Sequence, residues 1–212
     1  MKMWLGANDD KTHPRGGATR FTTSDGKIVA LCWIPKNAST TLKTTPNGFV
    51  PFAGAFNFTQ HEYDELIVFL RDPFDRWKSG VVQYMFLAEG QTFAKQYSHK
   101  ETRDEILKSL DRIVFDVHTL RQTDFFLFSG MDHSKSKFYN IDTGGLERFQ
   151  ADYNFWNEKV PHENNSKRND FIANIRKNFA NYVTPALEAK VKEFYKPDYD
   201  FMLNLDRSAR WS

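Results

Sequence analysis

Two apolar runs of strand length stand out along the chain, Ile28-Val-Ala-Leu-Cys-Trp-Ile34 and Leu66-Ile-Val-Phe-Leu70. Neither alternates with polar residues. Both faces of each strand should therefore be buried, as in a parallel sheet covered by helices. Pro35 ends the first run, and a short helix is predicted over 38–44, stopped by Pro46-Asn47-Gly48. Asp72-Pro73-Phe74-Asp75 after the second run reads as a helix start. Asp72 serves as N-cap, Pro73 suits the first position, and Asp75 lies at the positive end of the dipole. Trp77, Val81, Tyr84 and Met85 then recur at helical spacing. Further helices are predicted over 102–112, 168–181 and 184–195, the last opened by Thr184-Pro185. Phe125–Phe128 and Lys137–Ile141 read as strands of the same sheet, and residues 6–26 as irregular. The alternation predicts a single α/β domain, a parallel sheet flanked by helices over residues 28–205. An irregular segment 1–27 precedes it and a tail 206–212 follows.

Composition narrows this picture only a little. The 212 residues include 20 phenylalanines and are 40% hydrophobic, enough for a core without covalent staples. The net charge of +2 gives no reason to expect a nucleic-acid partner. The single cysteine, Cys32, excludes an intramolecular disulfide and a zinc site of several thiolates. Its place inside the first apolar run makes it a core thiol. No stretch reaches 18 apolar residues, so no membrane span is expected. The first ten residues lack the apolar core of a secretory leader, and the expected location is cytoplasmic.

The candidate chemistry follows directly on the two runs. In Ile34-Pro-Lys-Asn-Ala-Ser-Thr-Thr-Leu-Lys43 a buried strand ends, the chain turns, and a helix begins among small and hydroxylated residues. Free N–H groups at such a helix start point at one spot, and the dipole there favours an anion. Lys36 adds a point charge; Ser39, Thr40 and Thr41 add hydroxyl donors. The Walker pattern is absent: its two glycines are missing, and the lysine precedes the turn. Taken alone, the segment reads equally well as an N-capped helix with a solvated lysine. The second segment is Leu70-Arg-Asp-Pro-Phe-Asp-Arg-Trp-Lys-Ser-Gly80. Arg71 leaves a strand end, and Ser79 lies eight residues on, inside the helix. Ligands of parallel α/β sheets collect at the carboxyl ends of the strands, so Lys36 and Arg71 can converge on one ligand. A planar guanidinium there suits bidentate phosphate binding. The alternative is a surface pair, Arg71 with Asp75 or Arg76 with Asp72.

Together the two segments resemble the signatures of sulfotransferases that use 3′-phosphoadenosine 5′-phosphosulfate (PAPS), most closely the carbohydrate sulfotransferase group. Pro35-Lys36-Asn37-Ala38-Ser39-Thr40 is similar to that group's Pro-Lys-x-Ala/Gly-[Ser/Cys/Thr]-Thr loop. Arg71-Asp72-Pro73-Phe74-Asp75-Arg76-Trp77-Lys78-Ser79 is similar to the family's Arg-[Asp/Asn/Glu]-Pro-x-[Asp/Glu]-Arg-x-x-Ser. The resemblance implies a P-loop-like fold and transfer of a sulfuryl group from PAPS to a hydroxyl of a sugar or glycan, leaving 3′,5′-adenosine bisphosphate. It also implies that Lys36, Asn37, Ala38, Ser39, Thr40 and Thr41 surround the 5′-phosphosulfate and that Arg71 and Ser79 grip the 3′-phosphate. Weaker echoes extend it over residues 28–203. Asp116-Val-His118-Thr-Leu-Arg-Gln122 resembles a His-x-x-x-Gln stretch of the family, and His162-Glu-Asn-Asn165-Ser166 an Asn-x-Ser-type segment that approaches the nucleotide. Tyr195-Lys-Pro-Asp198-Tyr199-Asp-Phe201 resembles a closing, mainly structural motif, with its last Phe one position early. The region between the signatures is shorter than in the larger members, which carry acceptor-binding elements and often their base there.

Sulfuryl transfer needs donor and acceptor held in line and the developing charge stabilised. Lys36 is the natural stabiliser of the bridging oxygen. The base that takes the acceptor's proton has several candidates: His118, His61, or a carboxylate such as Glu62 or Asp64. The scheme requires no metal. Two other readings are a non-catalytic nucleotide-binding module of the same fold and a small P-loop kinase. Retention of Lys36, Arg71 and Ser79 argues against the first. The absent Walker glycines and magnesium-ligand arrangement argue against the second.

Overall fold

The two apolar runs form the centre of the sheet. The computed structural model describes residues 17–38, 50–51, 62–88, 101–127, 132–156, 170–207 and 211. Strands β1 (Gly17–Thr22), β2 (Ile28–Trp33), β3 (Val50–Pro51), β4 (Glu65–Leu70) and β5 (Ser136–Asn140) lie in the order β3-β1-β2-β4-β5. β2, β4 and β5 are parallel, with Val29 opposite Glu65 and Leu70 opposite Asn140. β1 runs antiparallel to β2, and the two-residue β3 is antiparallel to β1. The sheet is therefore mixed, where an all-parallel one was expected. Residues 17–22, expected to be irregular, are a strand. An antiparallel neighbour needs only the tight turn at 23–27, in which Gly26 has φ 87°.

Continuous apolarity in β2 and β4 has the expected cause. Successive side chains point to opposite faces. Ala30, Cys32, Leu66, Val68 and Leu70 enter one core with Leu120, Phe125 and Leu205. Val29, Leu31, Ile67 and Phe69 enter another with Phe149, Phe155 and Trp156. Burial pushes the Cys32 thiol up to about 12, as befits a core group.

Seven α-helices cover the sheet among the described residues: α1 (Pro73–Ala88), α2 (Arg103–Lys108), α3 (Gln122–Leu127), α4 (Gly145–Tyr153), α5 (Asp170–Ala180), α6 (Pro185–Phe194) and α7 (Lys196–Arg207). The expected start of α1 holds: the Asp72 carboxylate accepts from the Asp75 amide at 2.8 Å. Thr184 likewise caps α6, accepting from the Leu187 amide at 3.2 Å. The helix expected over 102–112 breaks at Ser109 into α2 and a 3₁₀ turn, Leu110–Arg112. Phe125–Phe128, expected as a strand, falls largely in α3, because a four-residue apolar run carries no period of its own. α7 continues past residue 206, and Trp211 bridges to Phe138. No helix among the described residues is long and apolar enough to cross a membrane. The helix expected over 38–44 lies outside the described residues beyond Ala38.

Candidate functional site

The carboxyl ends of β2, β4 and β5 deliver Lys36, Arg71 and Asp142 to one edge of the sheet. At the end of β2, the Asn37 amide donates to the Ile34 carbonyl at 3.0 Å. This closes a four-residue turn with proline second and Lys36 third. Lys36 has φ 70°, the positive value that the third position of a type II turn requires and glycine usually supplies. Ala38, at φ 55°, is also left-handed. Each such residue costs roughly 1–2 kcal/mol, strain of the kind found where a side chain has a task.

The Lys36 ammonium donates to Gln83 Oε1 on α1 at 3.4 Å. Burial, then the guanidiniums of Arg176 and Arg71, push its pKa down to about 8, while Asp116 opposes them. Arg176, on α5, is itself lowered by burial and by Arg71. Three cations from three separate elements thus gather at this edge.

A buried polar network fixes the strand-end segments that carry Lys36 and Arg71. Asn37 is fully buried, and its Nδ2 donates to the Phe69 carbonyl at 2.8 Å and to Gln122 Oε1 at 2.5 Å. Gln122 accepts from the Arg71 amide at 3.0 Å and donates to the Arg71 carbonyl at 2.8 Å, acting as a ladder partner beyond the end of β4. The start of α3 is capped from far along the chain by Asp198. Its carboxylate accepts from the amides of Gln122 and Thr123 at 2.8 and 2.9 Å and from the Thr123 hydroxyl at 2.7 Å. Arg76 is fully buried. It donates from Nε to the Pro35 carbonyl at 3.1 Å and from Nη1 to the Leu120 carbonyl. The surface pairs considered as alternatives do not form: Arg76 spans backbone carbonyls, and Arg71 Nε donates to Asp142 Oδ1 at 3.3 Å.

His118 lies on the 3₁₀ turn Val117–Thr119, capped by Asp116. One Asp116 oxygen accepts from the His118 amide at 2.9 Å, and the other faces His118 Nδ1 at 2.7 Å. The turn presses on α1 at Gly80, where an added Cβ would lie 2.5 Å from the His118 carbonyl oxygen. His118 therefore meets α1 about one helical turn from Gln83, the partner of Lys36. From the other side the Tyr195 hydroxyl donates to the Thr119 carbonyl. The stretch around His118 and Gln122 and the closing Tyr195–Tyr199 motif are thus joined, and both brace the site.

Ser79 is part-buried on α1, and its hydroxyl has no hydrogen-bond partner among the described residues. Ser39, Thr40, Thr41, His61, Asn165 and Ser166 lie outside the described residues. The carboxylate alternative for the base fails on geometry. Asp64 accepts from the Ile28 amide at 2.8 Å, at the amino ends of β2 and β4, and Glu62 precedes it. A six-residue strand, about 20 Å, separates that end from Lys36 and Arg71. No group of three or more His, Cys, Asp or Glu that would hold a metal exists among the described residues.

Sequence reasoning missed Arg176, Asp142, Asp116 and the buried role of Arg76. Asp142 follows a strand end and Asp116 stands two residues before His118, so both carried a local signal. Arg176 carried none, being one cation on an amphipathic helix. Comparison with protein-family models, with curated proteins and with solved structures returns no match for this chain.

Proposed function

We propose that the protein is a sulfotransferase that moves a sulfuryl group from PAPS to a hydroxyl of a sugar or glycan. The observation that supports it is the gathering of Lys36, Arg71 and Arg176 at the carboxyl edge of the parallel strands, beside the Asp116–His118 pair. In this reading, Arg71 and Arg176 bind the 3′-phosphate with charge-assisted hydrogen bonds. Lys36 lies against the bridging oxygen and neutralises the charge that grows there as the sulfur–oxygen bond breaks. Asp116 accepts from Nδ1–H of His118, which leaves Nε2 with a lone pair to take the acceptor's proton. The acceptor oxygen bonds to sulfur, the proton passes to Nε2, and 3′,5′-adenosine bisphosphate leaves. The protein's contribution is alignment and a fixed electrostatic frame.

The test is calorimetric titration with 3′,5′-adenosine bisphosphate and 5′-AMP, which differ only in the 3′-phosphate. A charge-assisted hydrogen bond contributes about 1.5–3 kcal/mol, so two of them give a preference of at least ~100-fold. Arg71→Ala should remove most of it, Ser79→Ala a smaller part, and Arg71→Lys should recover only some of the loss. Equal affinity of the wild type for both nucleotides would overturn the reading, and stabilisation by ATP with Mg²⁺ alone would favour a kinase.

A further inference from the structure

Arg71 and Asp142 meet in a specific way. Asp142 Oδ1 accepts from Arg71 Nε at 3.3 Å, and Asp142 Oδ2 accepts from the Asp72 amide at 2.6 Å. The carboxylate thus bridges a side chain and the backbone on either side of one peptide bond. It is fixed from its own side too, because Asn140 Oδ1 accepts from the Asp142 amide at 3.0 Å and caps the 3₁₀ turn Ile141–Thr143. Strand register supplies the rest: Leu70 lies opposite Asn140, so the residues after β4 and β5 emerge side by side.

The edge of the guanidinium that Asp142 uses is informative. It takes Nε and leaves the terminal fork. Among the described residues Arg71 Nη1 and Nη2 make no hydrogen bond. The pair is about one-third exposed, so it contributes little to stability. Its consequence is orientation. A long, flexible side chain at a strand end is held at Nε by a carboxylate that the Asp72 amide and the Asn140 cap themselves fix, as binding groups must be held if their geometry is to be precise to about 0.5 Å.

We propose that Asp142 is a positioning residue for donor specificity: it holds Arg71 by Nε and so presents the two terminal nitrogens to the 3′-phosphate of the nucleotide. This rests on the sulfotransferase reading. On charge alone the opposite effect is expected. A carboxylate beside a phosphate site repels the ligand, so its removal would strengthen binding. Orientation and repulsion therefore predict opposite signs for the same variant.

The experiment is calorimetric titration of wild type, Asp142→Asn, Arg71→Ala and the double variant with 3′,5′-adenosine bisphosphate and 5′-AMP. Asp142→Asn should weaken the bisphosphate about tenfold and leave 5′-AMP within about twofold, since 5′-AMP lacks the group that Arg71 serves. In the Arg71→Ala background the same substitution should do nothing further, because its effect passes through that side chain. Asp142→Ala, which removes both contacts, should show at least the loss seen with Asn. Thermal unfolding of each variant and retained 5′-AMP affinity report an intact fold. Bisphosphate binding that is unchanged or tighter in Asp142→Asn overturns the inference alone, as does an equal loss with Arg71 absent. A wild type that binds both nucleotides equally overturns the inference and the sulfotransferase reading together.

Discussion

Replacing Lys36 by methionine should stabilise the protein at neutral pH while removing the proposed sulfuryl transfer. In an unfolded chain lysine titrates near 10.4. In the fold Lys36 titrates at about 8, held down by burial, Arg176 and Arg71. Between those values the unfolded chain carries the extra proton, so this group makes stability rise with pH across the window. Below pH 8 both states are protonated, and the folded state bears the full cost of the buried ammonium, up to about 3 kcal/mol. Methionine has a similar length, no charge and no β-branch, and it meets the same left-handed backbone. It gives up one long hydrogen bond to Gln83, worth about 0.5–1.5 kcal/mol. The net gain should be up to about 1.5–2.5 kcal/mol at pH 7 and should vanish towards pH 10. Urea denaturation of both proteins at pH 7 and pH 9.5 measures it. The difference between the proteins isolates Lys36. Cys32, pushed up to about 12 by burial, keeps its proton where an unfolded thiol loses one and so opposes the trend equally in both. With Lys36 at the bridging oxygen as proposed, turnover should fall by roughly two to four decades, the scale of losing one electrostatic contact at a reacting centre. A variant less stable than wild type at pH 7, or a difference that does not change with pH, would refute the reasoning.

Three further outcomes are expected. Gly80→Ala places a methyl 2.5 Å from the His118 carbonyl oxygen; it should cost about 1–3 kcal/mol in denaturation and lower kcat more than nucleotide affinity. Asp198→Ala leaves two buried amides at the start of α3 without their acceptor; a loss of about 3–5 kcal/mol is expected in urea titration, and a loss below 1 would show that water replaces the carboxylate. His118→Ala should reduce turnover by about 10²–10⁴ with 3′,5′-adenosine bisphosphate affinity nearly intact, and Asp116→Asn should do the same more weakly; a larger effect of Asp116→Asn would mean that His118 is not the base.

The buried strands and the start of α1 were legible because their signals are local. An apolar run bounded by Pro35, or Asp72 followed by Pro73, needs no knowledge of the rest of the chain. β1 was not legible, because Gly17, Thr19, Arg20 and Thr22 give it a polar composition and its strand state comes from pairing with β2. The segment at Phe125 misled for a similar reason: α3 begins where Asp198, 75 residues away, caps it. At the site, Lys36 and Arg71 could be read from their places at strand ends. Arg176 could not, since only the packing of α5 against α1 brings it near. Arg76 lay in plain view within the second segment. Its burial beneath Pro35 depends on how the first segment folds back, which no local pattern encodes.

The struts of the site also set when it can come into being. Asn37 and Gln122 are 85 residues apart in sequence, Thr119 and Tyr195 are 76 apart, and Asp72 and Tyr199 are 127 apart. Contacts of such separation close large loops, and their entropy must be spent before they return anything, which places them late in folding. During synthesis, β2 and β4 emerge long before the helix that carries Asp198. A nascent chain cut short before residue 195 would hold both strand-end segments, with Lys36 and Arg71, and yet lack the clamp that aligns them. The proposed nucleotide binding should accordingly report completed folding, with α7 as the piece whose arrival switches it on.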